Sequence, residues 1–105
     1  SPTCGSSIEL GLDLDAQDRI SRIGLRTHAC AIGQAAAAIF CQGAEGKTRA
    51  ELAEASREIE AWLGGEANLP AWPGFASIAA AREFPARHGA ITLAWKAGIE
   101  ALPTS

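Results

Sequence analysis

The apolar residues of this chain change their spacing once, and the change falls near residue 30. Ile8, Leu10, Leu12 and Leu14 alternate with Glu9, Gly11 and Asp13, the period-two pattern of a strand with one buried face. Asp15-Ala16-Gln17-Asp18 is a polar break suited to a hairpin turn. Ile20, Ile23 and Leu25 continue as a second strand, and the slip of phase after Ile20 predicts a β-bulge. From Cys30 onward the pattern is helical. Four alanines followed by Ile39 and Phe40 predict a buried helix, ended by Gly43 and Gly46. Thr48-Arg49-Ala50-Glu51 is a capping-box sequence. After it, Leu52, Ala55, Ile59, Trp62 and Leu63 lie at helical spacing, with Glu54, Arg57, Glu58 and Glu60 on the other face and Gly64-Gly65 as the stop. Residues 66–74 hold Pro70 and Pro73 and read as a loop. Phe75 to Arg82 reads as a short helix, and Pro85 breaks the chain. Ile91, Ala94, Trp95, Gly98, Ile99 and Leu102 define a last helix that Pro103 ends.

Two strands followed by about four helices, segregated along the chain, predict an α+β fold with a small antiparallel sheet backed by helices. The 105 residues suit one domain spanning 1–105. Net charge is −3 with no Lys/Arg cluster, which argues against nucleic acid and against a membrane surface as partners. No apolar run is long enough to cross a bilayer. Ser1-Pro2-Thr3 reads as the middle of a pattern, so an N-terminal segment is expected to precede it.

Cys4, Cys30 and Cys41 are an odd number without disulfide-scaffold spacing, which favours a reducing, cytoplasmic setting and free thiols or metal ligands. With the turn centred on Gln17, Cys4 lies 13 residues before it and Cys30 lies 13 after it. Antiparallel pairing would bring them together at the open end of the hairpin. Cys30 also opens a helix, where free N–H groups and the dipole stabilise a thiolate. Two thiolates suit a soft metal or a cluster, although the same spacing suits two buried cysteines that merely flank a hairpin. Cys41 shares a helix with Cys30 but sits roughly 16 Å further along it. It reads as a small core residue. Of the two histidines, His28 comes two residues before Cys30, near the open end of the hairpin, whereas His88 comes from a separate element at a helix N-terminus that favours neutral imidazole. His88 is the better candidate ligand. Asp13, Asp15 and Asp18 read as solvated turn residues, and Trp62 and Trp95 read as core. Trp72, in the proline loop, reads as a possible docking aromatic.

Four segments in order carry a family resemblance. Ser-Pro-Thr-Cys-Gly at 1–5 resembles the first cysteine segment of the NifU/IscU iron–sulfur cluster assembly scaffolds. Ala29-Cys30-Ala31-Ile32 resembles the second, and Gly46-Lys47 the glycine–lysine junction after it. Phe84-Pro85-Ala86-Arg87 with Thr92-Leu93-Ala94-Trp95-Lys96-Ala97 resembles the third-cysteine segment, in the form found in the SufU-like branch. The resemblance implies a small sheet backed by helices, with a further helix and strand before the first cysteine. It also implies a carrier rather than an enzyme, zinc or an iron–sulfur cluster as cargo, and a cysteine desulfurase and recipient apo-proteins as partners. The family site has three cysteines and an aspartate. Cys4 and Cys30 match it. Ser6 stands at the aspartate and Ala90 at the third cysteine, and the Leu-Pro-Pro-Val-Lys run of the IscU branch is missing. The candidate metal set is therefore Cys4, Cys30 and His88, the last by inference. The rival expectations are a metal-free adaptor that keeps the docking surface and a redox pair in which Cys4 and Cys30 form a reversible disulfide.

Overall fold

The computed structural model describes residues 7–28, 31–85 and 88–102. Strands β1 (Ser7–Leu14) and β2 (Ile20–His28) form an antiparallel hairpin. Helices α1 (Ala31–Ala44) and α2 (Arg49–Leu63), a 3₁₀ segment (Phe75–Glu83) and helix α3 (His88–Ala101) follow. This is the α+β order expected from the change of period.

The hairpin register runs from Ser7 opposite His28 to Asp13 opposite Arg22, then slips so that Leu14 faces Ile20. Ser21 is the extra residue, which is the expected bulge, and its hydroxyl donates to the Asp13 carbonyl at 3.2 Å. The slip puts Ile20 on the inner face with Ile23 and Leu25, where it is fully buried. The other inner residues, Ile8, Leu10, Leu12, Leu14, Ile23 and Leu25, are half-buried against the core. The turn is organised by Asp15, whose Oδ1 accepts from the Gln17 and Arg19 amides at 2.9 and 3.1 Å.

The closed end of the hairpin is tied to the α1–α2 connection. Ile20 donates to the Lys47 carbonyl at 2.9 Å and accepts from the Gly46 amide at 2.8 Å. The Arg19 guanidinium donates to the Gly46 carbonyl at 2.8 Å and to the Glu51 carboxylate at 3.0 Å. Helix α2 starts at Thr48 with the expected capping box: Glu51 N–H donates to Thr48 Oγ1 at 3.2 Å and Thr48 N–H donates to Glu51 Oε1 at 3.0 Å.

Helix α3 packs on α2, α1 and β1. Its Trp95 is fully buried among aromatic rings, with centroids 5.4 Å from Phe40, 5.3 Å from Trp72 and 5.4 Å from Phe75. Trp62 joins through Phe75 at 5.7 Å. Trp62 and Trp95 are core, as expected.

Two expectations are corrected. Gly43 does not end α1; the helix runs through it to Ala44. Its missing side chain is the slot for Trp72, since an added Cβ would lie 2.5 Å from Trp72 Nε1. Trp72 is accordingly no exposed docking residue. It is buried, stacks on Phe40 at 5.9 Å, and its indole N–H donates to the Ile39 carbonyl at 2.8 Å. The proline loop folds back over α1 because that glycine leaves room for it. The short helix over 75–82 is present as a 3₁₀ segment with a kink at Ile78. The stop at Pro103 lies outside the described residues.

Gly43→Val would drive a branched side chain into the Trp72 indole and break its bond to Ile39. Overpacking of this kind costs about 1–3 kcal/mol, so the urea midpoint should fall accordingly; an unchanged midpoint would refute the slot. A second expectation concerns pH. The Thr48 amide bond holds the Glu51 carboxyl below its ordinary range, assisted by the Arg19 charge and opposed by partial burial. A depressed pKa stabilises the fold above the unfolded value and is lost as pH falls through the folded value. Glu51→Ala should thus cost about 0.5–1 kcal/mol at pH 7, and the gap from the natural chain should close below the ordinary value of 4.5. A gap that stays constant down to pH 2.5 would contradict this role.

Candidate functional site

The open end of the hairpin is closed by Ser7 and His28, which face each other, and by Thr27 Oγ1, which donates to the Ser7 carbonyl at 3.2 Å. Helix α1 begins at Ala31, so β2 and α1 meet across residues 29 and 30. Cys4, Ser6 and Cys30 lie outside the described residues. So does the expected approach of the two thiols.

His88 is the first residue of α3 and is half-buried. Its Nε2 lies 2.8 Å from the Arg82 carbonyl, at the end of the 3₁₀ segment. A carbonyl only accepts, so Nε2 carries the hydrogen, and in the neutral ring the lone pair is on Nδ1. This is the arrangement in which a ligating imidazole is usually held, with one nitrogen tied to a carbonyl and the other available to a metal. The ring lines a shallow groove of about 270 Å³ with Glu60, Leu63 and Gly64 from the end of α2 and Thr92 and Lys96 from α3. Thr92 is buried, and its hydroxyl lies within reach of the Gly89 carbonyl at 3.3 Å.

Ala90 is buried at 3% exposure. Two residues along a helix turn by about 200°, so His88 and Ala90 leave α3 on nearly opposite sides. Among the described residues no three His, Cys, Asp or Glu side chains come together as a metal-holding group.

Cys41 is half-buried against the core, and burial pushes its thiol pKa up, which keeps it protonated at neutral pH. A protonated thiol is a poor ligand and a poor nucleophile, in keeping with the core role expected of it. The acidic face of α2 is engaged rather than poised for chemistry: Glu54 pairs with Arg57 at 2.6 Å, and Glu58 accepts from the Ala71 amide at 3.3 Å. No described helix is long and apolar enough to cross a membrane.

Residue-by-residue reasoning missed two features. The first is the Arg82 carbonyl, which sets the His88 tautomer; a backbone acceptor leaves no mark in a sequence. The second is Phe84, which is 61% exposed two positions beyond Arg82. Its signal was the Phe-Pro pair, because proline disfavours helix in the residue before it, and a residue outside the helices has less chance of joining their core.

No family model matches the sequence, and no curated protein matches it. Solved structures do. A NifU-like protein (N-terminal) from Brucella abortus superposes with a TM-score of 0.84 at 23% identity, covering 93% of this chain and 69% of that one. A protein of the thermophile Fervidobacterium islandicum, described as an iron–sulfur cluster assembly scaffold for the SUF system, gives 0.79 at 26% identity, with 94% and 72% covered. A hypothetical protein gives 0.80 at 28% identity, with 96% and 75% covered. Over nearly all its length this chain thus has the fold of NifU-like and SufU scaffold structures, as the resemblance implied.

Proposed function

We propose that this chain is a carrier of the scaffold type in iron–sulfur cluster assembly, holding zinc, iron or a labile cluster as cargo through Cys4 and Cys30, with His88 as third donor. The observation that carries this reading is the shared fold with proteins described as NifU-like and as a SUF scaffold, over more than nine-tenths of the chain. The chemistry is consistent with it. Two thiolates favour soft metals, and His88 offers a lone pair at Nδ1 while Nε2 is tied to Arg82. With alanine at position 90, such a set leaves one coordination position to water or to an incoming group, as in open zinc sites. Weak, open coordination suits a cargo that must be handed on. A cysteine desulfurase as sulfur donor and apo-proteins as recipients belong to the same proposal.

One observation favours a second reading. Ala90 is buried and cannot bind metal, and the described residues supply no three-donor group. A chain that keeps the scaffold surface but binds no metal would be an adaptor.

Metal and acid-labile sulfide content separate the two. The carrier should purify with near-stoichiometric zinc or iron, or take up a cluster on anaerobic reconstitution. Metal should be lost in Cys30→Ala and should fall to a minor fraction in His88→Ala, with circular dichroism showing the fold retained. A natural chain that stays metal-free after reconstitution would leave the adaptor. Metal retained in full by His88→Ala would remove His88 from the set.

A further inference from the structure

Gly11 and Gly24 face each other across the hairpin. Both lie on its exposed side, away from the helices. A Cβ built on either would meet only the other's carbonyl oxygen, 4.0 Å away, and neither residue has a positive φ. Nothing within the described chain calls for glycine at these places, although glycine weakens a strand. A strand glycine without such a reason often marks a place where another backbone comes close.

The rungs on either side are charged. Glu9 stands opposite Arg26, and Asp13 stands opposite Arg22. Asp13 and Arg22 are 3.8 Å apart, with side chains 65% and 84% exposed. Among the described residues Glu9 and Arg26 form no ion pair. The acids are all on β1 and the arginines all on β2, so the face carries a negative column and a positive column on either side of a bare backbone notch.

We propose that this face pairs with the same face of a second copy, about a twofold axis parallel to the strands. That rotation lays β1 of one copy over β2 of the other. Glu9 then meets Arg26 of the second copy and Asp13 meets Arg22, and the reciprocal pairs form by symmetry, as an isologous contact requires. The rungs coincide because identical strands run in the same direction. An axis running across the strands would set Glu9 over Asp13 and Arg26 over Arg22, which like charges oppose. The glycine rung falls at the centre, where it lets the two sheets approach more closely than the usual spacing of about 10 Å.

The face measures roughly 26 Å by 10 Å at strand spacings. It therefore buries well under the ~1,200 Å² of a standard stable complex, so the pairing is weak, concentration-dependent and weakened by salt. Its charged pairs involve none of the candidate metal ligands, so it does not depend on metal.

Sedimentation of the full chain at low salt, from micromolar to millimolar, tests this. Self-association should appear at the upper end and fade as salt is added. Glu9→Arg and Arg26→Glu each set like charges face to face in both symmetry-related pairs, and each should weaken association roughly tenfold or more. An equimolar mixture of the two variants should recover it, because the reversed position on one meets the reversed position on the other. Gly11→Val should weaken association while leaving the thermal midpoint unchanged or raised. A natural chain that stays monomeric at millimolar concentration would overturn the proposal. So would single variants that associate like the natural chain, or a mixture that stays monomeric.

Discussion

Trp95 is the contact through which the separate elements of this small protein hold together. It stands on α3, and its indole meets Phe40 of α1, Trp72 of the returning loop and Phe75 of the 3₁₀ segment; Phe75 passes the contact on to Trp62 of α2. Aromatic pairs at these distances are worth about 0.5–1.5 kcal/mol each beyond the area they bury. The cluster can close because glycines make room beside it. A Cβ on Gly98 would lie 3.0 Å from Leu52 and 3.2 Å from Phe40, and Gly43 opens the slot for Trp72. The two-stranded sheet contributes a half-buried inner face and could not supply such a core alone. The position of α3, and with it of His88 and Ala90, follows from the aromatic cluster.

How much of this was legible depends on how local each signal is. The alternation at 8–14, the phase slip after Ile20 and the capping box at Thr48 are decided within a few residues, and each is present as read. The return of the loop over 66–74 is not local. Pro70 and Pro73 predict irregular backbone correctly, but that Trp72 fills a slot beside Gly43 depends on residues about thirty positions apart. A glycine three residues past a buried Phe looks like a helix stop and is instead a packing notch.

The candidate site was legible in its chemistry and less so in its geometry. Cys4, Cys30 and His88 can be picked out as residue types that bind soft metals, and Cys41 can be set aside, a judgement the burial of its thiol supports. What spacing does not reveal is that His88 and Ala90, two residues apart, leave α3 on opposite sides, or that His88 is oriented by a carbonyl from the preceding segment. Segment order served better than single residues here. Four short, individually weak matches in sequence order anticipated a fold that the solved structures share.

The tie between Arg19, Gly46 and Glu51 has a consequence for how the hairpin opens. One guanidinium links the turn to the first residues of α2, and Ile20 adds two backbone bonds to the same connection. Releasing the turn therefore strips a bond from the carboxylate that caps α2, so the closed end belongs to the same cooperative unit as α2 and should resist hydrogen exchange with it. At the other end, the outermost rung has Thr27 to Ser7 as its side-chain tie. Protection should fall along the hairpin from turn to tip. The open end, where Ser7 stands opposite His28, is thus where the strands part most easily, and it can open while the rest stays folded.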